Sequence, residues 1–411
     1  MTNATDNEAA KLGLGKLMSR VRIGEIRRLG RVGGNMLPIV IGLVIVWTYF
    51  ELANDNFLSA RNLTNLVVQI SSTGIITIGI VLILVIGEID LSVGSVAGMT
   101  AALLALSLAH GLPWGLAIGL MVVAGAATGL MQGIWIVFFG VPSFIVTLAG
   151  LLGWYGLQLY LIQTEKSDAI LVPQRYIDGL TTTYVPARVA WPVAVAIVVA
   201  MAALKVRRVR RRRKTGLSAE GRLEIVAQGV IVSGVVLAAT AVLTSWRGVP
   251  AAAILFVGLV TVFAWICQKT PFGRYMYAIG GNANGARRAE INVRRIRVTV
   301  FVLAGSLAAV GGLVAVSNLA AADTTLGSGT LLLEAIAAAV IGGVSLFGGR
   351  GSVWAAFFGS LVIGSVSNGL DLTGSPATVK YMVEGLILLA AVTADVVSRR
   401  GRLLDPNSDA G

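Results

Sequence analysis

Thr64-Asn-Leu-Val-Val-Gln-Ile-Ser-Ser-Thr-Gly-Ile-Ile-Thr-Ile-Gly-Ile-Val-Leu-Ile-Leu-Val-Ile86 runs without a charge and passes directly into Gly87-Glu88-Ile89-Asp90-Leu91-Ser92-Val93-Gly94-Ser95, after which a second apolar run begins. A helix of about 20 apolar residues is what a hydrocarbon core of about 30 Å requires. The first stretch therefore predicts a transmembrane helix. Counting outward from it gives twelve such runs: 37–54, 64–86, 92–109, 114–139, 141–163, 188–204, 223–245, 250–268, 298–320, 331–348, 352–370 and 377–397.

Composition agrees. Of 411 residues, 56% are hydrophobic and 13% charged, whereas soluble domains carry about 25% charged residues. A lone cysteine, Cys267, excludes a disulfide framework, and a lone histidine, His110, excludes a histidine-based metal cluster. His110, beside Gly111 and Pro113, is expected in an outside turn.

The formal net charge is +13, and 26 of the 33 basic side chains fall in four clusters: 1–36, 205–224, 269–297 and 399–402. Arg207 to Arg213 alone would resemble a nucleic-acid patch, but between spanning runs they match a cytoplasmic loop under the positive-inside rule. Nucleic acid is therefore not an expected partner, and the lipid bilayer is. Six, eight and twelve crossings from an inside N-terminus place every basic cluster on one side. Parity alone also admits ten or fourteen spans. The expected fold is an all-α polytopic transmembrane helical bundle with both termini cytoplasmic. No cleavable secretion signal is expected, since the first apolar run follows 36 polar residues and no small-residue site follows it.

Within the bundle, Gly125, Gly129 and Gly133 repeat every fourth residue beside Gln132, the pattern of a close helix seam or of a flexible pore-lining helix. The pairs Gly280-Gly281, Gly311-Gly312, Gly342-Gly343 and Gly348-Gly349 fall near ends of the predicted spans, where unusual dihedrals are expected. A central charge costs about 2.5 to 3.5 kcal/mol on insertion scales, so charges near membrane depth are informative. Glu88, Asp90, Ser92 and Gly94 fit either a tight turn capped by Asp90 or Ser92, or a break inside the membrane that lines a polar cavity. Glu334, Asp371, Lys380 and Glu384 are further candidates, with Lys380 and Glu384 spaced to pair on one helical face. Between Thr270 and Val293, Gly280 and Gly281 can turn the chain, Asn282 can cap, and Ala286 to Glu290 can form a short helix that presents small residues and arginines to a soluble partner.

The stretch Thr270-Pro-Phe-Gly273-Arg274-Tyr-Met-Tyr277-Ala278-Ile-Gly280-Gly281-Asn282 with Ala286, Arg287, Asn292 and Val293 resembles the coupling loop of permease subunits from the ribose/xylose/galactoside class of bacterial ABC importers. Gly87 to Ser95, Val141-Pro142-Ser143-Phe144-Ile145-Val146-Thr147-Leu148-Ala149-Gly150 and Ala337 to Gly349 fit the same family, so the resemblance runs across nearly the whole chain. Lys205 to Lys214 and Arg247-Gly248-Val249-Pro250 narrow it toward the D-xylose type. Two positions depart from the pattern: Gly285 replaces the first alanine of a pair, and Glu290 replaces a glycine.

The resemblance implies a basic segment 1–36, one importer transmembrane domain 37–397 with a basic loop 205–222 and a coupling loop 269–297, and a tail 398–411. It implies a bacterial plasma membrane location, a second permease copy, an ATP-binding subunit on the cytoplasmic side, and an extracytoplasmic sugar-binding protein. Gly273, Arg274, Tyr277, Ala278, Gly280, Asn282, Ala286 and Arg287 are the expected coupling residues. Glu88, Asp90, Ser92, Gly94, Gln132, Pro142 and Ser143 are the candidates for the path or its gate. No Gly-x-x-x-x-Gly-Lys-Ser/Thr occurs, so ATP-Mg is expected in the partner ATPase, with no bound cofactor and no catalytic residue expected in this chain. Two competing classes are an ion-coupled secondary transporter using Glu88, Asp90 or Glu334, and an integral membrane enzyme.

Overall fold

The computed structural model describes residues 37–172, 181–214 and 222–403. The basic segment 1–36, residues 215–221 of the mid-chain basic loop and residues 404–411 of the tail lie outside the described residues. Among the described residues thirteen helices follow in order: α1 (Leu37–Ala53), α2 (Ala60–Val85), α3 (Val93–Ala109), α4 (Trp114–Phe138), α5 (Ser143–Gln163), α6 (Ala187–Lys214), α7 (Arg222–Thr244), α8 (Ala251–Lys269), α9 (Pro271–Arg288), α10 (Val293–Leu319), α11 (Thr330–Ile341), α12 (Trp354–Leu372) and α13 (Ala377–Leu403).

Each of the twelve predicted runs holds a helix, and α9 is the thirteenth. Among the described residues seven helices (α2, α4, α5, α6, α8, α10 and α12) are long and apolar enough to cross a membrane. α6 continues past the apolar run to Lys214, because arginine and lysine are good helix formers. α11 departs from expectation: it has twelve residues, about 18 Å of helix, where a full span was predicted over 331–348. It stops at Gly342, whose position is pressed against the backbone of Ala355.

Four short strands tie the connections together. β1 (Ala169–Leu171) pairs antiparallel with β4 (Ala321–Asp323), and β2 (Tyr184–Val185) with β3 (Val249–Pro250). Asn54 Nδ2 donates to the Leu372 carbonyl at 3.0 Å, and His110 Nε2 lies 3.8 Å from Glu165 in an exposed turn. These contacts gather at one end the connections that parity assigns to a single side. The opposite end carries Gly87, α9 and the α11–α12 connection, with Arg274, Arg287, Arg288, Arg294 and Arg295 exposed.

α2 and α10 form the enclosed centre. Gly125, Gly129 and Gly133 all face α10; a Cβ on Gly129 would strike the Phe301 carbonyl, and Gly305 returns the contact against Gly125. The tight-seam alternative is the one observed, since little else draws apolar helices together in lipid. Gly311 and Gly312, expected to supply a turn, lie inside α10 and admit Ile76 and the Ala97 carbonyl. Gly343, Gly348 and Gly349 do have positive φ, as expected of a turn.

Candidate functional site

α9 starts with Thr270 as N-cap, its Oγ1 accepting from the Gly273 amide at 3.4 Å, and with Pro271 in the first turn. The chain stays helical through Gly280 and Gly281, contrary to the expected turn there, and breaks at Asn282 (φ −159°, ψ 95°). Asn282 Oδ1 then accepts from the Gly285 amide at 2.8 Å and caps a second short turn, the capping role expected of it. That turn ends at Arg288 rather than Glu290. Glu290 itself adopts φ 62°, so the glycine usual at this position is the residue that would hold the left-handed conformation without a Cβ penalty.

A tertiary contact requires glycine at position 280. A Cβ there would meet the Val85 carbonyl at the end of α2, whose oxygen also accepts from the Gly349 amide at 2.9 Å. Gly348 lies against Gly87 and the Gly280 carbonyl. Three separate glycine motifs thus meet backbone to backbone. Tyr277 adds a fourth tie, donating from its hydroxyl to the Gly351 carbonyl at 2.8 Å; burial pushes its phenol up to about 12. Gly273 is buried against the backbone of Cys267.

The expected coupling residues therefore divide. Arg274, Ala278, Asn282 and Arg287 lie on the exposed side of α9, while Gly273, Tyr277, Gly280 and Ala286 anchor its inner side. Ala286, expected on the presented face, is buried in the core and correspondingly unable to touch a partner directly.

The Gly87–Ser95 segment also divides. Glu88 is ion-paired with Arg297 at 2.9 Å. It lines a cavity of about 530 Å³ with Pro142, Ser143, Arg287, Asn292 and Arg294. Asp90 and Ser92 are sealed from it: Asp90 Oδ1 accepts from both the amide and the hydroxyl of Ser92 at 2.7 Å, and Gln132 Nε2 donates to Ser92 Oγ at 2.8 Å. Neither side chain caps α3 as expected: Ser92 stands at the N-cap without a capping bond, and Asp90 closes the turn just before it. Ser143 Oγ accepts from the Ile89 amide at 3.3 Å, which docks the segment on the start of α5. Gly94 lies elsewhere, packed on Leu332 of α11. The structure thus brings Glu88, Pro142, Ser143 and Arg287 together, makes one hydrogen-bonded chain of Asp90, Ser92 and Gln132, and leaves Gly94 apart from both.

Arg297 is the residue that sequence reasoning missed as a site member. Its signal was a charge at the start of an apolar run, which was read as topology. Among the membrane-depth candidates, Lys380 pairs with Asp371 at 3.4 Å and not with Glu384, and Thr73 donates to Glu334 at 3.1 Å.

A family model described as branched-chain amino acid transport system / permease component matches residues 62–392. The xylose transport system permease protein XylH of Escherichia coli (strain K12) is 35% identical over 88% of this chain and 92% of its own length. XylH of Haemophilus influenzae is 34% identical over 91% and 99%, and the ribose import permease protein RbsC of the same organism is 32% identical over 86% and 91%. No solved structure gives a significant match. The backbone-on-backbone glycine contacts, the multi-pass helical bundle and these likenesses over most of the sequence lead to one assignment: the chain belongs to this family of multi-pass membrane permease components, together with the sugar permeases it resembles.

Proposed function

We propose that this chain is the permease subunit of an ATP-driven importer for D-xylose or a related monosaccharide. It works with a second copy of itself, a separate ATP-binding subunit that holds ATP-Mg, and a sugar-binding protein at the opposite end. Support for a sugar as cargo comes from the xylose and ribose permeases, which are similar over most of the chain, although the family model carries an amino-acid description.

The observation that carries the ATPase-coupling reading is the two-sided character of α9. Its inner side is seated on α2 and the α11–α12 connection through glycine backbone, while Arg274, Ala278, Asn282 and Arg287 stay bare on its outer side. A docked ATPase that moves this face would displace α9 as a rigid lever. Because Val85 ends α2 and Gly87 follows just after it, the displacement would reach the core helix directly. The Glu88–Arg297 pair and its cavity lie next to that lever, between α4, α5 and α10, where a change in the α9 seat alters the opening.

The competing reading, an ion-coupled secondary transporter, draws on Glu334 at membrane depth. Uptake of labelled xylose into cells or vesicles separates the two. The proposal expects uptake to collapse on ATP depletion and to persist when ion gradients are dissipated; the reverse result overturns it.

A further inference from the structure

Away from the α9 end, a second cavity of about 40 Å³ lies between α2, α11 and α12. Gln69, Thr73, Glu334, Ser360 and Ser367 supply its polar lining. Ser360 is 1% exposed, and its hydroxyl meets no protein partner. Thr73 donates to Glu334 Oε2 at 3.1 Å, and Gln69 Oε1 accepts from Asn368 Nδ2 at 3.3 Å. A water occupies about 30 Å³ in the liquid, so the space suits one water-sized occupant.

The donor set is a carboxylate, three hydroxyls and an amide. Hard oxygen donors of this kind select hard cations over soft transition metals. Charge points the same way. Glu384 and the Asp371–Lys380 pair lie within electrostatic reach of Glu334, so three carboxylates face one ammonium. A divalent ion takes six to eight oxygens, commonly from several carboxylates. Here Glu334 is the sole carboxylate in the lining, and among the described residues no three His, Cys, Asp or Glu side chains converge as a metal site.

We propose that the cavity bounded by Thr73, Glu334 and Ser360 binds one sodium-sized monovalent cation, which ties the half-length helix α11 to α2 and α12. The ion offsets the Glu334 charge, gives the Ser360 hydroxyl a partner, and adds a polar tie to a helix otherwise packed through small apolar side chains. A resident ion of this kind is distinct from the coupling ion of the competing reading, because it stays bound when the sodium gradient is dissipated.

The test is binding of radioactive sodium to the full-length chain in lipid nanodiscs, alongside its thermal unfolding in sodium chloride and in choline chloride at equal ionic strength. The expected result is saturable binding of about one sodium per chain and a rise in midpoint of about 3 °C in sodium. Glu334→Gln should weaken sodium binding at least about tenfold, and Ser360→Ala, which removes only a hydroxyl, several-fold. Equal midpoints in sodium and choline, or binding unchanged in both variants, would overturn the site. A midpoint that follows pH but not sodium would overturn it too, leaving a protonated Glu334 beside a water.

Discussion

The Glu88 carboxylate lies 2.9 Å from the Arg297 guanidinium, joining the segment after α2 to the first turns of α10 across 209 positions of sequence. Side-chain exposures of 11% for Glu88 and 24% for Arg297 make this a largely enclosed pair. Removing one partner of such a pair strands the other charge, at a cost of about 2 kcal/mol or more. Glu88→Gln and Arg297→Met should each lower the unfolding midpoint. The double variant should lose less than the sum of the two, since neither charge is then orphaned. Strict additivity in unfolding measurements on the purified chain would contradict the pairing.

Gly280 and Gly281 are adjacent, yet their surroundings predict opposite outcomes. A Cβ on Gly280 would strike the Val85 carbonyl, while the position of a Cβ on Gly281 meets nothing within 4 Å. Gly280→Ala should therefore cost about 1 to 3 kcal/mol through overpacking and reduce uptake. Gly281→Ala should be neutral or stabilising by up to about 1 kcal/mol, because alanine favours the helix. Parallel expression, unfolding and uptake measurements check the contrast. Equal effects at the two positions would disprove the close approach.

Glu290 holds a left-handed backbone, which costs a residue with a Cβ about 1 to 2 kcal/mol. Glu290→Gly should raise the unfolding midpoint by a corresponding amount, reduced by the extra chain entropy that glycine brings to the unfolded state. A lower midpoint would mean that the glutamate side chain makes a compensating contact.

Tyr277 donates to the Gly351 carbonyl, and Tyr277→Phe should cost about 1 kcal/mol. The folded phenol is raised from 10.0 to about 12, so its contribution is fully present below pH 10 and is lost as pH rises through 12. Ultraviolet difference titration of wild type against Tyr277→Phe should show one phenol ionising near the upper value. If the lost phenol titrates near pH 10, the buried bond is absent.

Much of the bundle was legible because each long helix is an uninterrupted apolar run, and the glycine seam of α4 was legible because it repeats at helical spacing. Most of what escaped notice depended on tertiary partners. Residues 331–348 carry one charge, Glu334, and the Gly342-Gly343 pair is the local mark of the stop after Ile341; Gly343 takes φ 91°, while the Ala355 backbone leaves no room for a side chain at Gly342. Gly280 was expected to turn the chain, yet it stays helical, its missing Cβ leaves room for the Val85 carbonyl, and the break falls at Asn282. Lys380 was expected to bond four residues along its own helix, but the hairpin between α12 and α13 brings Asp371 to it instead. Nothing near either residue in sequence ties Arg297 to Glu88.

The outer side of α9 as the ATPase-coupling surface is the central claim, and Ala278 is its most direct probe because it is exposed and supports no core contact. The measurement is stimulation of the partner ATPase by sugar-loaded binding protein in a reconstituted complex carrying Ala278→Trp. The account predicts that the variant inserts and unfolds like wild type but loses most of the stimulation and of the coupled uptake. Wild-type stimulation and uptake with tryptophan at this position would contradict it.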